Sequence, residues 1–122
     1  MTSDYVRLRP EWTAEYALDH IRRHGHDSET LNVVYVIDDG GKLIDDIRIR
    51  KLLLASPDAP VADVMDDTFI SLMAADDQET AVDAMRRSDM TALPVTDSDG
   101  VLVGIVTIDD VLDVAAAEAT ED

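Results

Sequence analysis

Residues 104–114, Gly-Ile-Val-Thr-Ile-Asp-Asp-Val-Leu-Asp-Val, bring one hydroxyl and three carboxylates to the junction of a strand and a helix. The apolar pair Ile105 and Val106 reads as the end of a strand. Asp109, Asp110 and Asp113 crowd the first turns of the helix that must follow. Three kinds of chemistry suit this pattern. Thr107 and Asp110, three residues apart, could grip a ribose; the aspartates together could hold a metal ion; or the stretch could only cap its helix. Thr107-x-x-Asp110 has the spacing of a capping box, and a cap alone is worth about 0.5–2 kcal/mol.

The metal reading rests on the helix predicted over 108–121. Ile108, Val111, Leu112, Ala115 and Ala119 recur at helical spacing and form a buried stripe. Asp109, Asp110 and Asp113 then share one exposed side, where like-charged neighbours cost about 0.2–0.5 kcal/mol each. The helix dipole offsets this near the N-terminus but opposes Glu118, Glu121 and Asp122 at the other end. Three anions there call for a cationic partner or leave a frayed end. Magnesium fits: a hard, octahedral ion that keeps several waters and takes one or two carboxylates directly. A solvated acidic face is the alternative for each of these side chains.

Other clusters are poorer in chemistry. His24 and His26 in "HGH" lack a third zinc ligand nearby and read as a polar loop. Asp45-Asp46 and Asp66-Asp67 offer secondary cation sites or, more simply, solvated loops. Trp12 and Tyr16 read as packing residues. No Ser-His-Asp set or glycine-rich phosphate loop is present, so no enzyme activity is expected.

The elements that position these groups follow from composition and repetition. A chain of 122 residues, 46% apolar, suits one domain or two half-domains sharing a core. No stretch approaches the roughly 18–20 apolar residues that span a bilayer, and the N-terminus lacks the apolar region of a signal peptide. Absence of cysteine fits a reducing compartment. The formal charge of −17 argues against nucleic acid or an anionic membrane surface as partner. With Lys42 and Lys51 as the only lysines, adaptation to salt would produce a similar surface.

The chain also repeats itself. Residues 33–53 match 92–112 at an offset of 59, pairing Val36 with Val95, Asp38 with Asp97, Gly41 with Gly100 and Leu53 with Leu112. "ALDHIRR" (17–23) matches "AVDAMRR" (81–87) at an offset of 64, each an amphipathic helix preceded by a short extended segment, "YVRLR" or "FISLM". "DDGG" and "DSDG" read as turns in which glycine takes positive φ. Asp76 with Glu79 resembles a capping box. The unit is β-α-β-β-α, present twice: residues 1–56, a linker over 57–66, and residues 67–122. Each three-stranded sheet leaves one apolar face bare, which the other copy can bury sheet to sheet.

This α/β (α+β) architecture with pseudo-two-fold symmetry, together with "LPVTDSDGVLVGIVTIDDVLDV", resembles the CBS-motif pair, or Bateman module. The flanks "LRPEWTAEYALDHIRR" and "TIDDVLDVAAAEATED" resemble the cytosolic CBS pair of the MgtE family of magnesium transporters and channels. That resemblance implies a regulatory domain at the cytoplasmic face of the cell membrane, itself soluble. It would form a homodimer through its CBS motifs and work with an acidic N-domain and a transmembrane pore, its last helix beginning the connection to that pore. Carried over residue by residue, it implies Mg2+ at Asp109, Asp113, Glu118 and Glu121, with Asp110 and Asp122 behind them. CBS pairs that bind ATP or AMP often carry Gly-h-h-Thr/Ser-x-x-Asp, h being apolar, complete here in the second copy from Gly104 to Asp110. The first copy departs from it with Asp45, Arg48 and Lys51 at the three key places. The nucleotide candidates are therefore Thr107, Asp110, Arg50 and Tyr35.

Overall fold

The computed structural model describes residues 5–25, 33–66, 68–88 and 92–107. The first copy runs β1 (Arg7–Leu8), α1 (Ala14–His24), β2 (Val33–Ile37), β3 (Leu43–Arg48) and α2 (Ile49–Leu54). A single turn, α3 (Val61–Val64), follows. The second copy supplies β4 (Leu72–Met73), α4 (Gln78–Ser88), β5 (Ala92–Thr96) and β6 (Leu102–Thr107). The helix expected over 108–121 lies outside the described residues. Two three-stranded sheets result, ordered β1-β2-β3 and β4-β5-β6, each with a parallel pair and an antiparallel hairpin.

The repeat holds residue by residue. Val33 opposes Arg48 in one hairpin and Ala92 opposes Thr107 in the other, and both hairpins shift register after the valine at Val36 or Val95. Leu8 opposes Val36 as Leu72 opposes Val95, which preserves the offset of 64 for the first strand of each copy.

Alternation along the strands divides the core into layers. Val33, Tyr35 and Leu43 turn inward and meet Leu102 and Ile105 of the other sheet. Val34, Val36 and Ile47 turn outward and are covered by Ala14, Ala17 and Ile21 of α1, with Leu52 and Val61 beside them. In the second copy Leu93 and Val95 pack with Leu72 and Met85. Each fully buried aliphatic side chain contributes roughly 1.5–3 kcal/mol.

Local chemistry sets the ends of the helices. Thr13 stands in extended conformation before α1, and its hydroxyl accepts the Tyr16 N–H at 3.1 Å. At α4 the expected cap moves by one residue. The Asp77 carboxylate accepts both the amide and the hydroxyl of Thr80, at 2.9 and 2.8 Å, whereas Asp76 instead accepts the Met73 amide. Asp76 is held by the turn behind it and is not free to cap.

The link over 57–66 is less open than its composition suggests. Val61 of α3 is fully buried, its N–H donates to the Trp12 carbonyl at 2.7 Å, and the Ala62 N–H donates to that of Pro10 at 3.0 Å. The segment is thereby sewn to the start of α1.

The two hairpin turns join the copies. Gly41 and Gly100 have φ of 84° and 85°, a region that a side chain disfavours. In each turn an aspartate folds over its own backbone: Asp38 accepts the amides of Gly40 and Lys42, and Asp97 those of Asp99 and Val101. The turns then clasp each other. Leu43 N–H donates to the Gly100 carbonyl and Leu102 N–H to the Gly41 carbonyl, both at 3.0 Å. This reciprocal pair marks the internal two-fold relation.

Candidate functional site

A cleft of about 310 Å³ opens between the copies. Asp46 of β3 lines it from the first copy. Thr68, Phe69, Ile70, Ser88 and Leu93 line it from the second. These groups offer an aromatic ring, two aliphatic surfaces, two hydroxyls and one carboxylate. Such a mixture suits a small ligand with a flat apolar part and a polar edge.

Asp46 sits in a crowd of acids. Oxygens of Asp45, Asp46 and Asp66 lie within 4.8 Å of one another. Asp45 is fully buried, and its two oxygens accept the amides of Asp46 at 2.8 Å and of Asp66 at 2.9 Å. It therefore staples the interdomain link to the edge of the first sheet. Asp66 is held below the usual carboxylate range, mainly by the Thr68 amide at 3.0 Å, with Lys51 3.6 Å away as a further cause. Asp46 responds oppositely: partial burial, then the charges of Asp45 and Asp66, push its pKa up to about 6.

Across the strands from Asp46 stands Tyr35, its direct register partner. Tyr35 is fully buried, and among the described residues its hydroxyl has no hydrogen-bond partner. Burial, reinforced by the neighbouring Asp46 charge, raises the pKa of the phenol, so it remains a proton donor. A buried hydroxyl without a partner carries a desolvation penalty that a ligand's acceptor could relieve.

The structure brings some sequence candidates together and separates others. Tyr35 does not itself line the cleft, but its cross-strand partner Asp46 does. Thr107 is buried at the end of β6 opposite Ala92, beside the Leu93 that lines the cleft. Arg50 lies on the exposed side of α2, and no hydrogen bond or ion pair joins it to the cleft among the described residues. Asp109, Asp110, Asp113, Glu118, Glu121 and Asp122 fall outside the described residues, as do His26 and Asp67.

One expectation needs correction. Asp45 and Asp46 belong to strand β3, not to a solvated loop, because Asp45 satisfies two backbone amides and needs no water. The cleft-lining Phe69, Ser88 and Leu93 were not among the candidate site residues. Their signal was positional: Phe69 occupies, at an offset of 64, the place of Tyr5, which packs edge-on against Tyr35 at 5.9 Å.

Comparison with known proteins bears on this arrangement. A family model described as CBS domain matches residues 1–58 and again 61–117. The magnesium transporter MgtE of Thermus thermophilus is 44% identical over all 122 residues, and the chain spans 27% of that relative's length. The crystal structure of the cytosolic domain of the Mg2+ channel MgtE in complex with ATP superposes with a TM-score of 0.90 at 42% identity, covering 93% of this chain and 46% of that one. The soluble part of a magnesium transporter superposes with a TM-score of 0.92 at 35% identity, covering 97% of this chain and 46% of that one. Among the described residues, no helix is long and apolar enough to cross a membrane.

Proposed function

From the premise that this chain belongs to the CBS-domain family and carries the motif twice, we propose that it is the magnesium-sensing regulatory part of a transporter or channel of the MgtE kind. It does no covalent chemistry in this reading. The observation that carries it is the 44% identity along the whole chain to a magnesium transporter. The working parts are the carboxylates Asp109, Asp113, Glu118 and Glu121, with Asp110 and Asp122 beside them. At high magnesium, ions neutralise these groups and hold a compact homodimer against an acidic N-domain and the cytoplasmic side of a membrane pore, which then stays closed. At low magnesium, carboxylate repulsion separates the parts.

The energetics require several ions. An ion that binds only the compact state stabilises it by about 1.4 kcal/mol at tenfold excess over its Kd. Moving a gate from 1:99 to 99:1 takes about 5.5 kcal/mol, so one such site is insufficient and about four acting together suffice.

Thermal unfolding in MgCl2 and in KCl at matched ionic strength tests the proposal. Magnesium should raise the midpoint above the KCl value, and the joint substitution Asp109→Asn with Asp113→Asn should remove most of that difference. Equal stabilisation by KCl would point to a salt-adapted scaffold. A magnesium shift that survives the double substitution would reassign the sensing groups.

A second reading, adenosine-nucleotide sensing in service of another enzyme or transporter, is favoured by the Tyr35 hydroxyl, which has no hydrogen-bond partner among the described residues and lies across the strands from Asp46 beside the cleft. ATP is the ligand of one similar structure. Thr107 and Asp110 would meet the ribose, Tyr35 a polar edge, and Arg50 a phosphate. Calorimetry with ATP and AMP, with and without magnesium, separates the readings: tight adenosine binding without a magnesium response favours this one alone.

A further inference from the structure

One face of α1 carries chemistry that neither the cleft nor the final acidic segment uses. Trp12, Tyr16, His20 and His24 are stacked along it. The Trp12 ring lies 4.8 Å from Tyr16 and 4.9 Å from His20, and His20 lies 4.4 Å from His24 with the planes inclined by 43°. His20 and His24 are one helical turn apart. That is the spacing at which two imidazoles on a helix share a metal ion in zinc proteins.

We propose that His20 and His24 form a two-imidazole site for a borderline transition-metal dication of the zinc, nickel or copper(II) kind, separate from the carboxylate chemistry assigned to magnesium.

Two observations support it. The ring separation is short enough that a modest rotation of each imidazole sets one nitrogen of each about 2.0–2.1 Å from a common ion. The platform is anchored: the Trp12 N–H donates to the Arg9 carbonyl at 3.2 Å, the Trp12 carbonyl accepts the Val61 N–H, and the Trp12 ring backs His20.

The ion class follows from the donors. Imidazole nitrogen suits zinc, nickel and copper, whereas magnesium prefers oxygen and sheds water reluctantly. Asp19, the nearest acid along the helix, is engaged by Arg23 at 3.0 Å, which leaves the remaining positions to water. The formal charge of −17 concentrates any dication around the domain. The sequence pairs His24 most obviously with His26; the helix pairs it with His20.

Trp12 is the only tryptophan and stands against His20, so its fluorescence is the probe. Copper(II) and nickel(II) are titrated into the chain at neutral pH in excess magnesium chloride. The expected result is saturable quenching that His24→Gln abolishes, His20→Gln abolishes, and His26→Gln leaves intact. His24 is exposed, so its variant carries the test if His20→Gln perturbs folding. No saturable quenching in the wild type, quenching unchanged by His24→Gln, loss on His26→Gln, or displacement by magnesium each overturns the proposal.

Discussion

Asp45 and Gly104 occupy equivalent places in the two copies, and the difference between them shapes the cleft. Where the second copy has no side chain, the first has a buried carboxylate that fastens Asp66 and with it the whole link. Its neighbour Asp46, whose counterpart is the fully buried Ile105, is then left facing the cleft among like charges. The native pKa of Asp46, about 6, exceeds the ordinary 3.8, so the folded state binds the extra proton between these values. Its contribution to stability therefore rises as pH falls through about 6 to 4 and is lost as pH rises again. Asp46→Asn should stabilise the chain at pH 7 by about 1 kcal/mol, discounted for the solvent that reaches this half-buried group. Urea unfolding at several pH values should show that component of the pH dependence gone. The sequence displayed Asp45 as a departure from the repeat. Its role was hidden because its partner Asp66 lies 21 residues away.

At the scale of elements, periodicity located α1 and α4, and the offsets of 59 and 64 located the corresponding strands of the two copies. What escaped were features decided by a single contact. The α4 cap falls on Asp77 and not Asp76, two adjacent aspartates that composition cannot distinguish but backbone direction can. α3 is one turn long, too short for a period to appear, and owes its place to bonds with Pro10 and Trp12. The Thr13 cap is better suited to test, since α1 carries the aromatic and histidine ladder as well as the buried Ala14, Ala17 and Ile21. Thr13→Ala should lower stability by about 1 kcal/mol, and Thr13→Asn should restore most of it. Chemical denaturation followed by circular dichroism measures both.

For the whole molecule, the inter-sheet layer decides whether two half-domains behave as one. Ile105 is fully buried there against the first sheet. Ile105→Ala should cost about 2–5 kcal/mol, and the unfolding transition should remain single if the copies melt together. Calorimetric and van't Hoff enthalpies that diverge in this variant would mean the halves had become independent. The layer was legible in the sequence as an apolar face left over in each repeat. The cleft beside it was not, because it is a space between side chains from both copies and belongs to neither pattern alone.

The clasp of the two turns has a further consequence. Each glycine oxygen asks only for a leucine amide in the opposing turn, and it is indifferent to which half supplies one. Two first halves would satisfy the handshake as well as a first and a second, so a severed half carries the means to recruit its own twin. Covalent tethering keeps that valence turned inward, and leaves each half free to diverge at the positions the handshake never touches.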